Sequence, residues 1–367
     1  MKTVQTTNPV QISVRQAAMM LITPVTATGH LLFVRIVFRY AGKDGWISLL
    51  IALTLGAAGL WVMIRLLQRH PEKNLLQISE DLFGAIAGRV VGLCFVGFLL
   101  FISAVLLRSF GDFMRLVMPA TPIVVLMGVM IALAARTCRQ GLEVVARAND
   151  ILLPILIVTG SLLSLLVTKD KQPRNLLPVL EHGWQPVLAG ALALQGLFAE
   201  TVLLGSFGHA LGKGRRVLPR VLWIMAILGV MFMGPITGPT TLFGPASVRA
   251  MVYPTWEEVK HVQFADMIGN LDVMGVLLWT LGSSVQSTLL LWGTSSGTAW
   301  LLKVDDYRAL VAPLAIITLG LSILVADNAR ELTNFLTTGY PLLSITIGVL
   351  LPLLMLVWTE IRLLLRG

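Results

Sequence analysis

Charged residues are scarce in this chain of 367 amino acids, and their scarcity decides its class. Asp, Glu, Lys and Arg make up 13% of the sequence, hydrophobic residues make up 56%, and the mean hydropathy is +0.82. Soluble domains carry about 25% charged residues. The composition therefore excludes an ordinary soluble globular protein and indicates a membrane protein.

Cysteine and histidine are also few. Cys94 lies within an apolar run and Cys138 at the end of another, so neither is placed for a structural disulfide. The five histidines are dispersed, and no nucleophile–base or metal-ligand spacing is present. They are His30, His70, His182, His209 and His261. We therefore expect no enzyme and no cofactor. No small-residue cleavage site follows a short apolar core, so we expect no cleavable signal peptide.

Long apolar runs are what the sequence has in abundance. Eight charge-free runs each have about the length that a helix needs to cross roughly 30 Å of hydrocarbon. They are residues 46–64, 90–107, 116–135, 151–168, 221–248, 273–302, 309–326 and 332–359. Two further runs, 16–34 and 183–211, are apolar but interrupted by polar residues. None alternates as barrel strands do. We predict an all-α polytopic protein with ten transmembrane helices, residues 1–367 forming one transmembrane domain.

The formal net charge is +9, and the basic residues lie in short loops between the runs. When the loops are assigned alternately to the two sides, the side with both termini holds 17 of the 28 Lys and Arg residues. Such an excess is typical of cytoplasmic loops. We therefore expect both termini in the cytoplasm, a lipid bilayer around the chain and no nucleic acid partner.

Two of the ten spans are interrupted. In the first, Pro24 removes a backbone donor and Gly29 permits a non-helical turn. In the sixth, Glu200 lies in the middle of residues 192–210. A carboxylate in hydrocarbon costs a few kcal/mol at least, so it marks a functional site by default.

The interrupted spans are the first of each half when the ten are divided into five and five. Because five is odd, the second half enters from the opposite side, which predicts an inverted repeat of about residues 12–168 and about residues 183–364. A non-spanning segment separates the second and third spans of each half. One is an amphipathic cytoplasmic segment, about 71–83, expected on the membrane surface. The other is an extracytoplasmic segment, about 243–272, with short surface helices expected within 259–269. Paired, broken spans are typical of a transporter-type central site.

Such a site suits a small zwitterion. The positive dipole ends of interrupted helices attract a carboxylate, and an acidic side chain attracts an ammonium group. Three roles remain open for Glu200. It binds the ammonium group, it carries a proton, or it accepts hydrogen bonds from span 1 or span 8 as a structural link.

An ordered set of motifs along nearly the whole chain resembles a known family. The set is Ile12-Ser13 with Gln16, residues 44–48, Leu107-Arg108-Ser109-Phe110 through Thr121-Pro122, residues 141–147, residues 176–180 with Gly183, and Leu197-Phe198-Ala199-Glu200. It is similar to the spore germination permeases, the B-type subunits of nutrient germinant receptors, in the amino acid–polyamine–organocation superfamily. The resemblance implies the leucine transporter (LeuT) fold, with spans 1 and 6 broken.

The resemblance also implies a ligand between spans 1 and 6, walled by spans 3 and 8. The implied ligand-binding residues are Thr23, Pro24, Val25, Thr26, Ala27, Thr28, Gly29, Phe98, Phe101, Gln195, Gly196, Leu197, Phe198, Ala199, Glu200, Thr201, Ser283, Ser284 and Ser287. Thr294 and Ser295 resemble the hydroxyl cluster that completes a sodium site in some relatives. Other relatives, which are proton-coupled, place a lysine inside span 5, and residues 151–168 contain none.

The function implied is a subunit that senses an amino acid or similar nutrient and triggers germination. Its implied partners are an A-type membrane subunit and a C-type lipoprotein in the inner membrane of the spore. The alternative is a secondary transporter that moves an amino acid with H⁺ or Na⁺.

Overall fold

The computed structural model describes residues 12–208, 217–262 and 272–365, and all regular structure within them is helical. Eight helices in these ranges are long and apolar enough to cross a membrane. One of the eight, Val14–Arg69, turns at Gly42–Asp44 and so crosses twice. With the shorter apolar helix Arg308–Leu324, the described residues form ten spans, as predicted.

The spans are numbered in chain order. Span 1 consists of Val14–Thr28, Gly29–Phe33 and Val34–Ala41, span 2 is Gly45–Arg69, span 3 lies within Leu75–Val117, span 4 is Ile123–Gln140 and span 5 is Leu142–Leu166. Span 6 consists of Trp184–Phe198, Ala199–Leu203 and Leu204–Phe207, span 7 is Val217–Phe243, span 8 is Asp272–Leu302 and span 9 is Arg308–Leu324. Span 10 consists of Ala329–Ile345, Thr346–Leu350 and Leu351–Leu364.

The helix Leu75–Val117 reverses direction before it crosses the membrane. The Asn74 side chain caps its start by accepting a hydrogen bond from the Gln77 backbone at 2.9 Å. At Gly84 the backbone has φ 82° and ψ 177°, a conformation that glycine adopts readily. Ser79 then donates a hydrogen bond to the Gly88 carbonyl at 2.9 Å, so the two arms of the reversal are in contact.

This reversal changes the prediction for residues 71–83. The segment is helical from Leu75, but its apolar side chains are buried among the protein's own helices instead of facing lipid. The buried side chains are Leu75, Leu76, Ile78 and Leu82. Only Phe83, which is 37% exposed, has substantial contact with the surroundings among the apolar residues used for that prediction.

The segment between spans 7 and 8 contains two short helices, Pro245–Ala250 and Pro254–Lys260. Each begins with a proline, whose missing N–H costs nothing at a first helical position. The sequence predicted helices within 259–269, whereas these two helices lie mostly before that range. Residues 263–271 lie outside the described part of the chain, as do the basic residues Lys213, Arg215 and Arg216. Lys171, in the loop after span 5, forms an ion pair with Glu258 at 2.8 Å.

Spans 3, 4, 8 and 9 pack extensively on one another, and spans 2, 6 and 7 form a second group. Arg108 strengthens the first group, since its buried guanidinium donates a 2.6 Å hydrogen bond to the Ala326 carbonyl just beyond span 9. A cation is favourable there because the last carbonyls of a helix carry partial negative charge. The first part of span 1 packs mainly on span 5 and on span 8 of the first group, and it also contacts spans 6 and 7 of the second group.

Candidate functional site

Spans 1 and 6 change helix type at the two stretches that the sequence singled out. Span 1 passes from α-helix to π-helix at Gly29–Phe33, and span 6 passes to 3₁₀-helix at Ala199–Leu203. Threonine hydroxyls bond to the backbone around Pro24, which cannot donate. Thr26 donates to the Ile22 carbonyl at 3.0 Å, and Thr23 shares its one hydroxyl proton between the Met19 carbonyl at 3.2 Å and Oδ1 of Asn149 at 2.8 Å. Changes of helix type of this kind are frequent at functional sites.

The role predicted for Gly29 is wrong. Its φ of −65° and ψ of −44° are right-handed helical, so it makes no turn. Its small size matters instead, because a Cβ atom at this position would lie 2.0 Å from Cζ of Phe232 on span 7 and 2.7 Å from Cδ2 of Leu197 on span 6. Glycine thus allows span 1 to approach spans 6 and 7 closely.

The Glu200 carboxylate is buried, and each of its oxygens accepts a hydrogen bond. Tyr340 of span 10 donates to Oε1 at 2.8 Å, and Gln286 of span 8 donates to Oε2 at 3.0 Å. The side chains are 4%, 0% and 3% exposed respectively. Hydrogen bonding of this kind offsets part of the cost of burying a polar group.

Gln286 extends this group of residues to span 1. The Thr28 hydroxyl, immediately before the π-helix, donates to Oε1 of Gln286 at 2.8 Å. One hydrogen-bonded network therefore crosses spans 1, 6, 8 and 10 and joins Thr28, Glu200, Gln286 and Tyr340. We call it the Glu200 network. Three roles were left open for Glu200. The observed hydrogen bonds are those of a structural link, with one donor on span 8 and the other on span 10.

The remaining predicted residues of spans 1 and 6 are all buried. Thr23, Pro24, Val25, Thr26, Ala27 and Gly29 are buried, as are Gln195, Gly196, Leu197, Phe198, Ala199 and Thr201. Oε1 of Gln195 is buried without a hydrogen-bond partner. A Cβ atom on Gly196 would lie 2.9 Å from Cα of Pro341, the neighbour of Tyr340.

The predicted residues of spans 3 and 8 are placed less uniformly. Phe98 is buried, whereas Phe101 is half-buried and stacks edge-on against Phe335, with ring centroids 5.5 Å apart. Phe335 in turn stacks on Tyr340 at 6.5 Å. In span 8, Ser283 and Ser284 are half-buried and Ser287 is buried. Phe101 is thus connected to the Glu200 network through the ring of Phe335.

The hydroxyls of the predicted sodium site differ from each other. Thr294 donates to the Leu290 carbonyl at 2.8 Å, the usual bond of a threonine within a helix. Ser295 is fully buried and its Oγ has no hydrogen-bond partner. Oxygen ligands of this type suit a hard cation.

Three polar residues of the site were missed or undervalued at the level of sequence. Tyr340 lies in span 10, whose apolar run gave no signal other than the presence of a tyrosine beside Pro341. Gln286 stands among the hydroxyls of span 8, which is the signal that would have identified it. Asn149 was not among the predicted site residues, but it is fully buried and accepts a hydrogen bond from Thr23 at 2.8 Å.

A separate cavity of about 360 Å³ is bounded by spans 1, 5, 7 and 8 and by the helix Pro254–Lys260. Of the predicted site residues, Thr26 and Ala27 line it. Most of the lining is apolar, and His30, Thr255 and Glu258 are among its polar residues.

Comparisons with known proteins agree on fold and family. The family model described as "Spore germination protein" (Spore_permease) matches residues 11–330. Spore germination protein KB of Bacillus subtilis (strain 168) is 25% identical over 299 residues, covering 80% of each chain. Putative spore germination protein YfkT of the same strain is 26% identical over 317 residues, covering 86% of each chain.

Among solved structures, the crystal structure of MhsT in complex with L-phenylalanine superposes with a TM-score of 0.69 at 13% identity. The match covers 92% of this chain and 87% of that chain. At that identity the likeness concerns the fold, which is LeuT-like, as predicted. Together with ten apolar spans, these matches make the chain an integral membrane protein. It belongs to the spore germination protein (spore permease) family.

Proposed function

We propose that this chain is the nutrient-sensing subunit of a spore germinant receptor and that it binds an amino acid or a similar small ligand near Glu200. The Glu200 network is the observation on which the proposal depends, because it places a buried carboxylate where spans 1 and 6 change helix type. The names of the curated relatives support the germination role.

The ligand's ammonium group would compete with Tyr340 and Gln286 for the Glu200 oxygens. Since those donors belong to spans 10 and 8, binding changes the contacts between span 6 and both spans. A ligand that binds one arrangement of the spans more tightly shifts the population toward it. We propose this shift as the germination signal.

The surroundings of the subunit follow from the same proposal. It lies in the inner membrane of the spore with both termini in the cytoplasm, beside an A-type membrane subunit and a C-type lipoprotein. Residues 12–168 and 183–364 are the two inverted repeats of its one domain. Residues 71–83 face the cytoplasm and residues 243–272 face the opposite side. It catalyses no reaction.

A thermal-shift screen of the standard amino acids against the purified full chain identifies a binder, because a ligand that binds only the folded state raises its stability. Binding of that amino acid is then compared for the wild type, Glu200→Gln and Glu257→Gln, the last being a half-buried carboxylate paired with Lys260. We expect affinity to fall about tenfold or more in Glu200→Gln alone, since a hydrogen bond to a charged group contributes about 1.5–3 kcal/mol. Equal affinity in all three proteins removes Glu200 from the ligand site.

The second candidate function is an amino acid transporter coupled to H⁺ or Na⁺. The unpartnered, buried Ser295 hydroxyl favours it, because such an oxygen is available to a sodium ion. Uptake of the labelled amino acid into proteoliposomes under imposed gradients separates the candidates. Gradient-driven accumulation supports the transporter, and binding without accumulation supports the sensor.

A further inference from the structure

The cavity between spans 1, 5, 7 and 8 is too large to be a packing defect. Protein interiors hold few voids larger than a water molecule, whereas small-molecule sites typically begin at about 300 Å³. This cavity measures about 360 Å³. Its walls contain Gly160 and Gly234, and a Cβ atom on Gly160 would have no heavy atom within 4 Å. The wall therefore has room at position 160, where a larger side chain would fill part of the cavity.

The cavity opens laterally between spans 5 and 7. Leu165 of span 5 and Val230 of span 7 both line it, and they are 67% and 80% exposed on the surface of the bundle. In a membrane that surface faces lipid, so an apolar molecule dissolved in the bilayer has a direct route of entry.

His30 supplies the cavity with a hydrogen-bond acceptor that no protein group uses. The imidazole lines the cavity, and its Nε2 is buried without a hydrogen-bond partner. In the neutral tautomer that carries its proton on Nδ1, Nε2 has a free lone pair. A buried acceptor left unpaired costs free energy, and a ligand N–H or O–H would satisfy it.

The charges in the wall favour an uncharged ligand. Glu258 and Lys171 form an ion pair at 2.8 Å, and their side chains are 6% and 15% exposed. The pair carries no net charge that would compensate the charge of a ligand, and burying an uncompensated charge is costly.

We propose that this cavity is a second ligand site, which takes an uncharged aromatic or aliphatic molecule with one N–H or O–H donor from the bilayer. His30 Nε2 accepts that donor, and the apolar walls of spans 5, 7 and 8 enclose the rest. Such binding uses neither Glu200 nor Tyr340, and Thr26 and Ala27 are the predicted germinant-site residues that also line this cavity.

Indole and 1-methylindole are a matched pair of probes, because they differ only in the N–H donor and its methyl replacement. Equilibrium dialysis measures the binding of each probe to the full chain in lipid nanodiscs. Empty nanodiscs measure how much of each probe partitions into the lipid. We expect saturable binding of indole and roughly 3- to 10-fold weaker binding of 1-methylindole, the effect of one hydrogen bond. His30→Phe keeps a ring beside Phe232, whose centroid lies 4.8 Å away, and we expect it to bind both probes equally.

Gly160→Phe is the variant that fills the cavity, and Gly320→Phe is its control. Gly320 is an exposed residue of span 9 whose Cβ would also meet nothing within 4 Å. We expect at least tenfold weaker indole binding in Gly160→Phe and wild-type binding in Gly320→Phe. Gly160→Val, a smaller change, gives an intermediate loss if the larger side chain impairs folding.

Saturable binding that Gly160→Phe leaves intact overturns the site, as does indole uptake no greater than that of empty nanodiscs. Retention of the preference for indole in His30→Phe overturns the role of Nε2. Mass spectrometry of copurified lipid tests the other occupant. A phospholipid that is present in the wild type and lost in Gly160→Phe, without indole binding, assigns the cavity to an acyl chain and overturns the proposal.

Discussion

The hydroxyl of Tyr340 donates a hydrogen bond to Oε1 of Glu200 across 2.8 Å, although 140 residues separate the two in sequence. Both side chains are buried, and the bond joins span 10 to the 3₁₀ segment of span 6. A buried carboxylate needs hydrogen-bond donors, and here they come from other spans. The bond therefore connects spans 6 and 10 and stabilises the carboxylate of the candidate site.

Tyr340→Phe removes this donor and leaves Oε1 of Glu200 without a partner. We expect the free energy of unfolding to fall by about 1–3 kcal/mol, the cost of an unsatisfied buried polar atom. Chemical unfolding in detergent measures it. Tyr40→Phe is the control, since the half-buried Tyr40 donates to the Thr337 carbonyl at 3.0 Å and its loss is expected to cost less. Equal costs in the two variants contradict a special role for the Glu200 contact.

Gly29→Ala introduces a methyl group 2.0 Å from Cζ of Phe232. Overpacking of a core typically costs about 1–3 kcal/mol, so we expect a lower melting temperature. Gly320→Ala, which meets nothing within 4 Å, is expected to be neutral or to stabilise by up to about 1 kcal/mol through helix propensity. Combining Gly29→Ala with Phe232→Leu tests the cause, because a smaller neighbour restores part of the loss. No recovery in the double variant places the strain elsewhere.

The stability of the protein is expected to depend on pH through Glu258. Burial raises the pKa of this carboxyl group above its ordinary value of 4.5, while Lys171 opposes the change. The folded state therefore holds the proton more tightly than the unfolded chain. The contribution to stability is complete below pH 4.5 and is lost as the pH rises through the raised pKa. Unfolding midpoints across this range should fall in the wild type more steeply than in Glu258→Gln, and parallel profiles would contradict the assignment.

Thr255→Val and Ser48→Ala should have opposite effects on stability. Oγ1 of Thr255 is buried without a partner, so its removal is expected to be neutral or stabilising. The fully buried Ser48 donates to the Val187 carbonyl at 2.8 Å, and its loss should cost about 1 kcal/mol or more. Thermal unfolding of the two variants measures both effects. A larger loss of stability in Thr255→Val than in Ser48→Ala would mean that the Thr255 hydroxyl has a partner in the membrane.

The sequence predicted the spans and the positions of both interruptions because hydropathy and the scarcity of charge depend on residue type alone. Glu200 was identified for the same reason. Tyr340 was not, since an apolar run does not reveal which face of span 10 meets span 6. Gly29 was assigned a turn because sequence shows that glycine permits one, whereas only packing against Phe232 shows why glycine is needed. The burial of Leu75–Leu82 side chains likewise depends on the reversal at Gly84.

Span 5 is bonded to other parts of the protein in its first half and just beyond its end. In its first half, Asn149 and Asp150 accept hydrogen bonds from Thr23 and Gln16 of span 1, each at 2.8 Å. Just beyond its other end, Lys171 pairs with Glu258 of the helix Pro254–Lys260. A helix of 25 residues is about 37 Å long. Span 5 therefore links the first half of span 1 to the helix Pro254–Lys260, and Pro154, which removes one of its backbone hydrogen bonds, lies between the two attachment points.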